Sequence, residues 1–307
     1  MQSLKLLRYV AICWIAFLVS ITAFAGAPPA KQQGSASGIH LPAIPPQELV
    51  RRTVDNEIKS GNDDGSHYMY KDVRQTPDGS RTKMMIETAQ GTVAYLIAIN
   101  GKPLTPDQHN QELQRLQNLL SNPETQSRKK KEQKADSDRV TRMFRELPKA
   151  FVYQYAGVVP GKNGHEWVSL NFQPNPNYNP PSRETSVFKA MNGSMVIDSQ
   201  SERLVKIEAR LFKDVNFGWG ILGHLDKGGH FIVEQSDIGD NRWEPSYMNI
   251  QFTGKALLFK TINLRQIETT SDYVRVPDNL SLAQGVDMLK KRAGISVAQN
   301  GDGAASE

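Results

Sequence analysis

Thiol chemistry is all but missing from this sequence. Cys13 is the single cysteine among 307 residues. With no second thiol there is no disulfide framework and no thiolate metal site, so stability has to come from a packed core. An excess of one charge sign is lacking too, with 37 Lys and Arg against 32 Asp and Glu. The formal net charge is +5, too small an excess to argue for nucleic acid as a partner. No G-x-S-x-G serine elbow occurs, and Gly34-Ser35-Ala36-Ser37-Gly38 puts alanine at the nucleophile position. Gly157 to Lys162 is a poor phosphate loop: the glycine spacing is short by one, Asn163 replaces the hydroxyl residue, and no helix follows. His224 and His230 flank Asp226, but the H-x-x-x-x-x-H spacing lacks helical i,i+4 logic and has no evident third ligand. Acidic residues are dispersed, so no paired carboxylates of the glycosidase type stand out. The sequence therefore nominates no catalytic residue, no metal and no cofactor.

What is present begins with an export address. Lys5 and Arg8 form a basic front, and Tyr9 to Phe24 carries no formal charge. That stretch is about 16 residues, short of the ~20 needed to span a bilayer as a helix. Ala23-Phe24-Ala25 supplies small residues where a signal peptidase reads, just before Gly26. Residues 1–25 are expected to be a cleaved signal peptide. Cys13, preceded by Ile12 in mid-stretch, is wrongly placed for lipidation. Losing Lys5 and Arg8 leaves a formal charge of +3. Residues 26–46, rich in Ala, Gly, Ser, Gln and Pro, read as a flexible leader.

Pro45-Pro46 opens a helix through about Ser60, with Leu49, Val50, Thr53, Val54 and Ile58 near one face. A three-strand meander follows: His67 to Gln75, Ser80 to Gln90 and Thr92 to Ile99. Thr105, Pro106 and Gln108 form a capping-box pattern for a helix striped by Leu113, Leu116, Leu119 and Leu120. After Asn122-Pro123 a charged helix, Glu124 to Glu146, keeps an apolar edge only at Val140, Met143, Phe144 and Leu147. Its run Arg128-Lys129-Lys130-Lys131 and Lys134 is interleaved with Glu132, Asp136 and Asp138. It reads as a solvated face, with an anionic partner or membrane headgroups as the alternative. From Ala150 the chain turns to strands: 151–159, 166–173, 193–198, 203–215, 230–238, 243–253 and 255–271. A short helix, Leu280 to Ala293, and a fraying tail close it.

Several of these strands alternate. Val168, Leu170 and Phe172 share one face, as do Val205, Ile207, Ala209 and Leu211, and Met248, Ile250 and Phe252. Polar residues take the other face, the pattern of an antiparallel sheet wet on one side. Long one-sided strands curl as twist accumulates, and their apolar side needs a lid of helices or a ligand. A filled core and a partly open apolar cavity are both compatible with that pattern. The candidate ligand-binding residues are Val168, Leu170, Phe172, Val205, Ile207, Leu211, Met248, Ile250 and Phe252. Phe217, Trp219 and Leu222, among alternating glycines, are the candidate loop rim. A tight loop that folds Trp219 back onto the core is the competing account.

The layout of export signal, leading helix, meander, intervening helices and long strands resembles the LolA/LolB-type lipoprotein-carrier fold. Three stretches, MNGSMVIDSQSERLVKIEARLF (191–212), RWEPSYMNIQF (242–252) and ETTSDYVRV (268–276), are similar to exported outer-membrane lipoprotein-sorting-like proteins. The resemblance implies an α+β, mainly antiparallel fold: a strongly curved, incomplete β-barrel of about eleven strands, plugged by helices. Residues 47–280 would form that single domain, with 105–147 as a charged helical insertion and 281–307 as a short helix and tail. It further implies a non-catalytic periplasmic protein of the cell envelope, binding an acyl chain, lipid or lipoprotein, with peripheral membrane contact. The alternative is an RseB-like sensor that docks an envelope protein through the insertion; a hydrolase using His224, His230 or a carboxylate pair not visible in the sequence is the third option.

Overall fold

A computed structural model describes residues 41–61, 67–162, 164–217, 223–239, 242–256 and 260–301. The expected signal peptide, most of the leader, Trp219 and Leu222 lie outside the described residues. The helices are α1 (Pro46–Gly61), α2 (Pro106–Ser121), α3 (Pro123–Ala150), the single turn α4 (Arg183–Ser186) and α5 (Leu282–Gly301). The strands are β1 (His67–Thr76), β2 (Gly79–Thr88), β3 (Gly91–Ile99), β4 (Lys102–Pro103), β5 (Phe151–Pro160), β6 (Glu166–Pro174) and β7 (Met191–Asp198). They continue as β8 (Arg203–Leu211), β9 (Val215–Phe217), β10 (Gly223–Leu225), β11 (His230–Asp237), β12 (Trp243–Ala256) and β13 (Lys260–Val276). All lie in one antiparallel sheet of order β4-β3-β2-β1-β13-β12-β11-β8-β7-β6-β5, with β10 joining β12 and β9 joining β10. The edges β4 and β5 do not pair, so the curved sheet stays open and the fold is α+β, mainly antiparallel β.

The helix signals are built as their chemistry requires. Thr105 Oγ1 accepts from the Gln108 N–H at 3.3 Å, and Gln108 Oε1 accepts from the Thr105 N–H at 3.0 Å. Asn122 Oδ1 caps α3 by accepting from Thr125 N at 2.9 Å. Leu49, Val50, Thr53, Val54 and Ile58 are all buried on α1, as are Val140, Met143, Phe144 and Leu147 on α3. The Gln47 amide donates to the carbonyls of Pro148 and Phe151, fastening the start of α1 to the end of α3.

The ends of two strands lie away from where the sequence pattern puts them, each because of a partner elsewhere in the chain. The strand expected over 203–215 ends at Leu211. There Leu211 N donates to Gly229 O (2.7 Å) and Gly228 N donates to Leu211 O (2.8 Å), and Asp214 turns outward to accept from Lys227 N. The residues beyond become β9, which with β10 adds strands to the eleven the resemblance implies. Strand β13 runs on to Val276, beyond the expected end at Ser271. A β-bulge at Asp272 (φ +59°) lets it continue, since aspartate tolerates this left-handed conformation. The Asn175–Ser182 loop leads into α4 and a 3₁₀ turn, Val187–Ala190, which pack on the core.

The registers show which residues share a face. Directly opposed residues run across nine strands in one row: Tyr155, Leu170, Met195, Ile207, Val233, Met248, Glu268, Arg74 and Arg81. A parallel row is Tyr153, Phe172, Gly193, Ala209, Phe231, Ile250 and Gln266. Gly193 is required here: a Cβ would sit 1.9 Å from Glu208 O and 2.8 Å from the Phe172 ring. On this face, α1 and α3 bury the β5–β8 half. Met69, opposite to Asp72 and Arg74 in the β1 pleat, belongs to a second core under α2 and α5, with Met84, Ile86, Val93 and Tyr95. The two helical pairs therefore cover opposite faces at opposite ends of the sheet.

Candidate ligand-binding face

The face shared by Leu170, Ile207 and Met248 positions the candidate residues. Val168, Leu170, Phe172, Ile207, Leu211, Met248 and Ile250 all fall in one contiguous core cluster and are buried. Most of this wall is thus filled by side chains of α1, α3 and the 3₁₀ turn, the ordinary fate of an apolar stripe. Val205 is buried but stands outside that cluster. It is the extra residue of a β-bulge between the Val196↔Lys206 and Ile197↔Leu204 pairs, which breaks the alternation of β8. Phe252 is only partly buried and lies opposite Leu264; Phe231 and Phe217 are likewise half-exposed against the same core. These four partly buried side chains form an apolar edge of the core cluster, and Phe217 of the expected rim is one of them.

One step beyond Met248 the same face becomes ionic. Glu268 and Asp72 are each 3% exposed. Arg74 Nε donates to Glu268 Oε2 at 2.9 Å, and Gln266 Nε2 donates to the same oxygen at 2.8 Å. Burial, reinforced by the neighbouring Asp72 carboxyl, pushes Glu268 up to about 8. Burial also raises Asp72, against the pull of Glu268, Arg74 and Lys83. Lys83 is lowered, first by burial and then by Arg74. Two carboxyls that cannot both ionise readily therefore sit between two cations, an arrangement that favours sharing one proton between them.

The bulge at Asp272 completes this end. It turns Tyr273 onto the ring of Tyr70, centroids 4.9 Å apart, and its hydroxyl donates to Pro245 O at 2.8 Å. Burial raises the Tyr273 phenol far above its usual range. Alongside, Arg242 Nε donates to the buried Glu244 at 2.9 Å. None of these residues carries a motif. The visible signal was the failure of alternation, since charged residues occupy the inward positions of β13 and β1 that apolar residues hold in β12.

His224 Nε2 lies 3.2 Å from Asp226 Oδ1 in a half-buried pair, while His230 starts β11 opposite Gln251 and Arg210. The structure does not bring the two histidines into one constellation with a third ligand. Among the described residues no group of three or more His, Cys, Asp or Glu is placed to hold a metal ion. No described helix is long and apolar enough to cross a membrane.

The fold and face define a class, an open curved antiparallel sheet with an apolar wall that ends in a charged strip. No protein-family model and no curated protein matches the chain. Among solved structures it is similar to a DUF1329 family protein from Desulfovibrio piger, at 10% identity and a TM-score of 0.23. That likeness covers 73% of this chain and 92% of the other; values this low carry no argument about function.

Proposed function

We propose that the protein is a non-catalytic, exported binding protein of the cell envelope that takes an acyl chain, lipid or lipoprotein on the concave face of its sheet. The observation that carries this reading is the single-residue step from Met248 to Glu268 along one cross-sheet row. An amphiphile matches such a step, with its chain on Phe231, Phe252 and Leu264 and its polar end towards Arg74 and Lys83. The chain would enter over the half-exposed edge and extend by displacing core side chains beneath α1 and α3. Gently purified protein should carry lipid detectable by mass spectrometry and should bind a fluorescent fatty acid. Phe252→Asp should weaken that binding about tenfold by placing a charge in the apolar edge. Protein that is always empty, with no fatty-acid binding, rejects the proposal.

A second reading has its own observation. Lys130 and Lys131 are exposed on α3, and among the described residues neither has an ion-pair partner. In this version the helices of the insertion dock an envelope protein, in the manner of an RseB-like sensor. Lys130→Glu with Lys131→Glu should then remove the partner from a pull-down without changing lipid binding. An unchanged set of partners disposes of it.

A further inference from the structure

A second place in the molecule has chemistry that the acyl-chain reading does not use. Where the β5–β6 hairpin meets the start of β12, a cavity of about 50 Å³ is lined by Lys162, His165, Trp167, Asp198, Gln235 and Trp243. Gln235 is 4% exposed and Trp243 7%. Both amide atoms of Gln235 and the indole N–H groups of Trp167 and Trp243 are buried with no hydrogen-bond partner among the described residues. Four unpartnered polar atoms thus belong to three residues that line one small space. Leaving them so is unfavourable, and native interiors pair nearly all such groups.

The missing partner has a definable character. An indole N–H donates and never accepts, so the occupant must bring lone pairs. Lys162 adds an exposed ammonium with no ion pair among the described residues. The acidic lining residues are already engaged. Asp198 Oδ2 lies 2.8 Å from His165 Nδ1, and its Oδ1 accepts from the Ser201 N–H and hydroxyl, each at 2.8 Å. Asp237 Oδ1 accepts from Gly239 N at 2.9 Å. Burial works against ionisation of Asp198, but these bonds outweigh it and hold the carboxyl below its ordinary value. The Asp198 charge therefore orients His165, while the indoles, the Gln235 amide and Lys162 remain for a ligand. The space suits one carboxylate or phosphate group and excludes a sugar ring or an acyl chain.

We propose that this cavity binds a small oxyanion group, carboxylate or phosphate, through Trp167, Trp243, Gln235 and Lys162. The site is independent of the acyl-chain reading and stands if that reading fails. The test follows the indole N–H signals of the full chain by NMR, assigned with Trp167→Phe and Trp243→Phe. Sodium phosphate, sodium acetate and dihexanoyl phosphatidic acid are titrated separately. At least one should shift both signals saturably, and Lys162→Ala or Gln235→Leu should weaken that response about tenfold or more. A response to the free salts assigns a soluble anion; a response to the phosphatidic acid alone assigns a lipid headgroup. Indole signals that ignore all three probes, or that respond equally in the Lys162→Ala protein, overturn the proposal. Lys162 is exposed, so its replacement leaves the fold intact and keeps the test valid if Gln235→Leu does not fold.

Discussion

Replacing Glu268 by glutamine tests the ionic strip most directly. Glu268 has an ordinary value of 4.5 and is held at about 8 in the fold, chiefly by burial and then by Asp72. A carboxyl raised on folding stabilises the protein below its unfolded value and loses that contribution as pH rises through its folded value. Wild-type stability should therefore fall between about pH 4.5 and pH 8. A shift of this size corresponds to a limit of roughly 5 kcal/mol. Glutamine keeps the shape and can still accept from Arg74 and Gln266, while its amide donates to Asp72. It has no proton to lose, and Asp72 then ionises beside Arg74, Lys83 and a donor. Each kcal/mol moves the midpoint of a domain this size by about 2–4 °C. Thermal unfolding followed by circular dichroism should show Glu268→Gln melting roughly 10 °C above wild type at about pH 9 and close to it at about pH 4. Parallel melting curves across this range would show that Glu268 is ionised in the folded protein, and the account of the strip would fail.

Other perturbations address the scaffold. Glu57 on α1 meets Arg203 on β8 in a buried two-bond pair at 2.9 and 3.1 Å, and also accepts from Leu204 N at 2.9 Å. Glu57→Ala should cost about 3–5 kcal/mol in denaturant unfolding, whereas Glu57→Met with Arg203→Met should recover most of it. Equal losses in both proteins would contradict this view of the pair. Thr105→Ala removes the reciprocal cap of α2 and should cost about 1 kcal/mol, visible as faster amide exchange in its first turn. Gly193→Val should prevent β7 from pairing with both neighbours, because its Cβ has no space against Glu208 O; soluble, cooperatively folding protein would refute that.

Much of the scaffold was legible because local rules and tertiary packing agree there. The capping box at Thr105 and the apolar edge of α3 at Val140, Met143, Phe144 and Leu147 are formed as the sequence specifies. Alternation also identified the apolar face of β6, β8 and β12. It did not say whether that face is hollow, because a stripe that lines a cavity and a stripe that packs under a helix have the same period. Leu170 and Ile250 are fully buried, whereas Phe252 on the same face is only partly so, and nothing in the period of the strand separates them. The ends of β8 and β13 escaped notice because each depends on partners distant in sequence, Gly228 and Gly229 for one and the bulge against β1 for the other.

The ionic strip and the polar cavity were missed for a related reason. Both are assembled from single residues on strands far apart in the chain: Asp72 with Glu268, and Trp167 with Gln235 and Trp243. Each of these residues, read within its own strand, looks like an interruption of the apolar face or a member of the wet one. Register turns those interruptions into neighbours. Because α1 and α3 cover one end of the sheet and α2 and α5 cover the other face at the opposite end, the strands between them keep a face with few helical neighbours. Charged groups on those strands help to bury one another: Glu268 accepts from Arg74 and Gln266 and lies beside the Asp72 carboxyl. The raised carboxyl of Glu268 thus depends on this packing, and it should relax towards its ordinary value in any variant that lets water reach the strip.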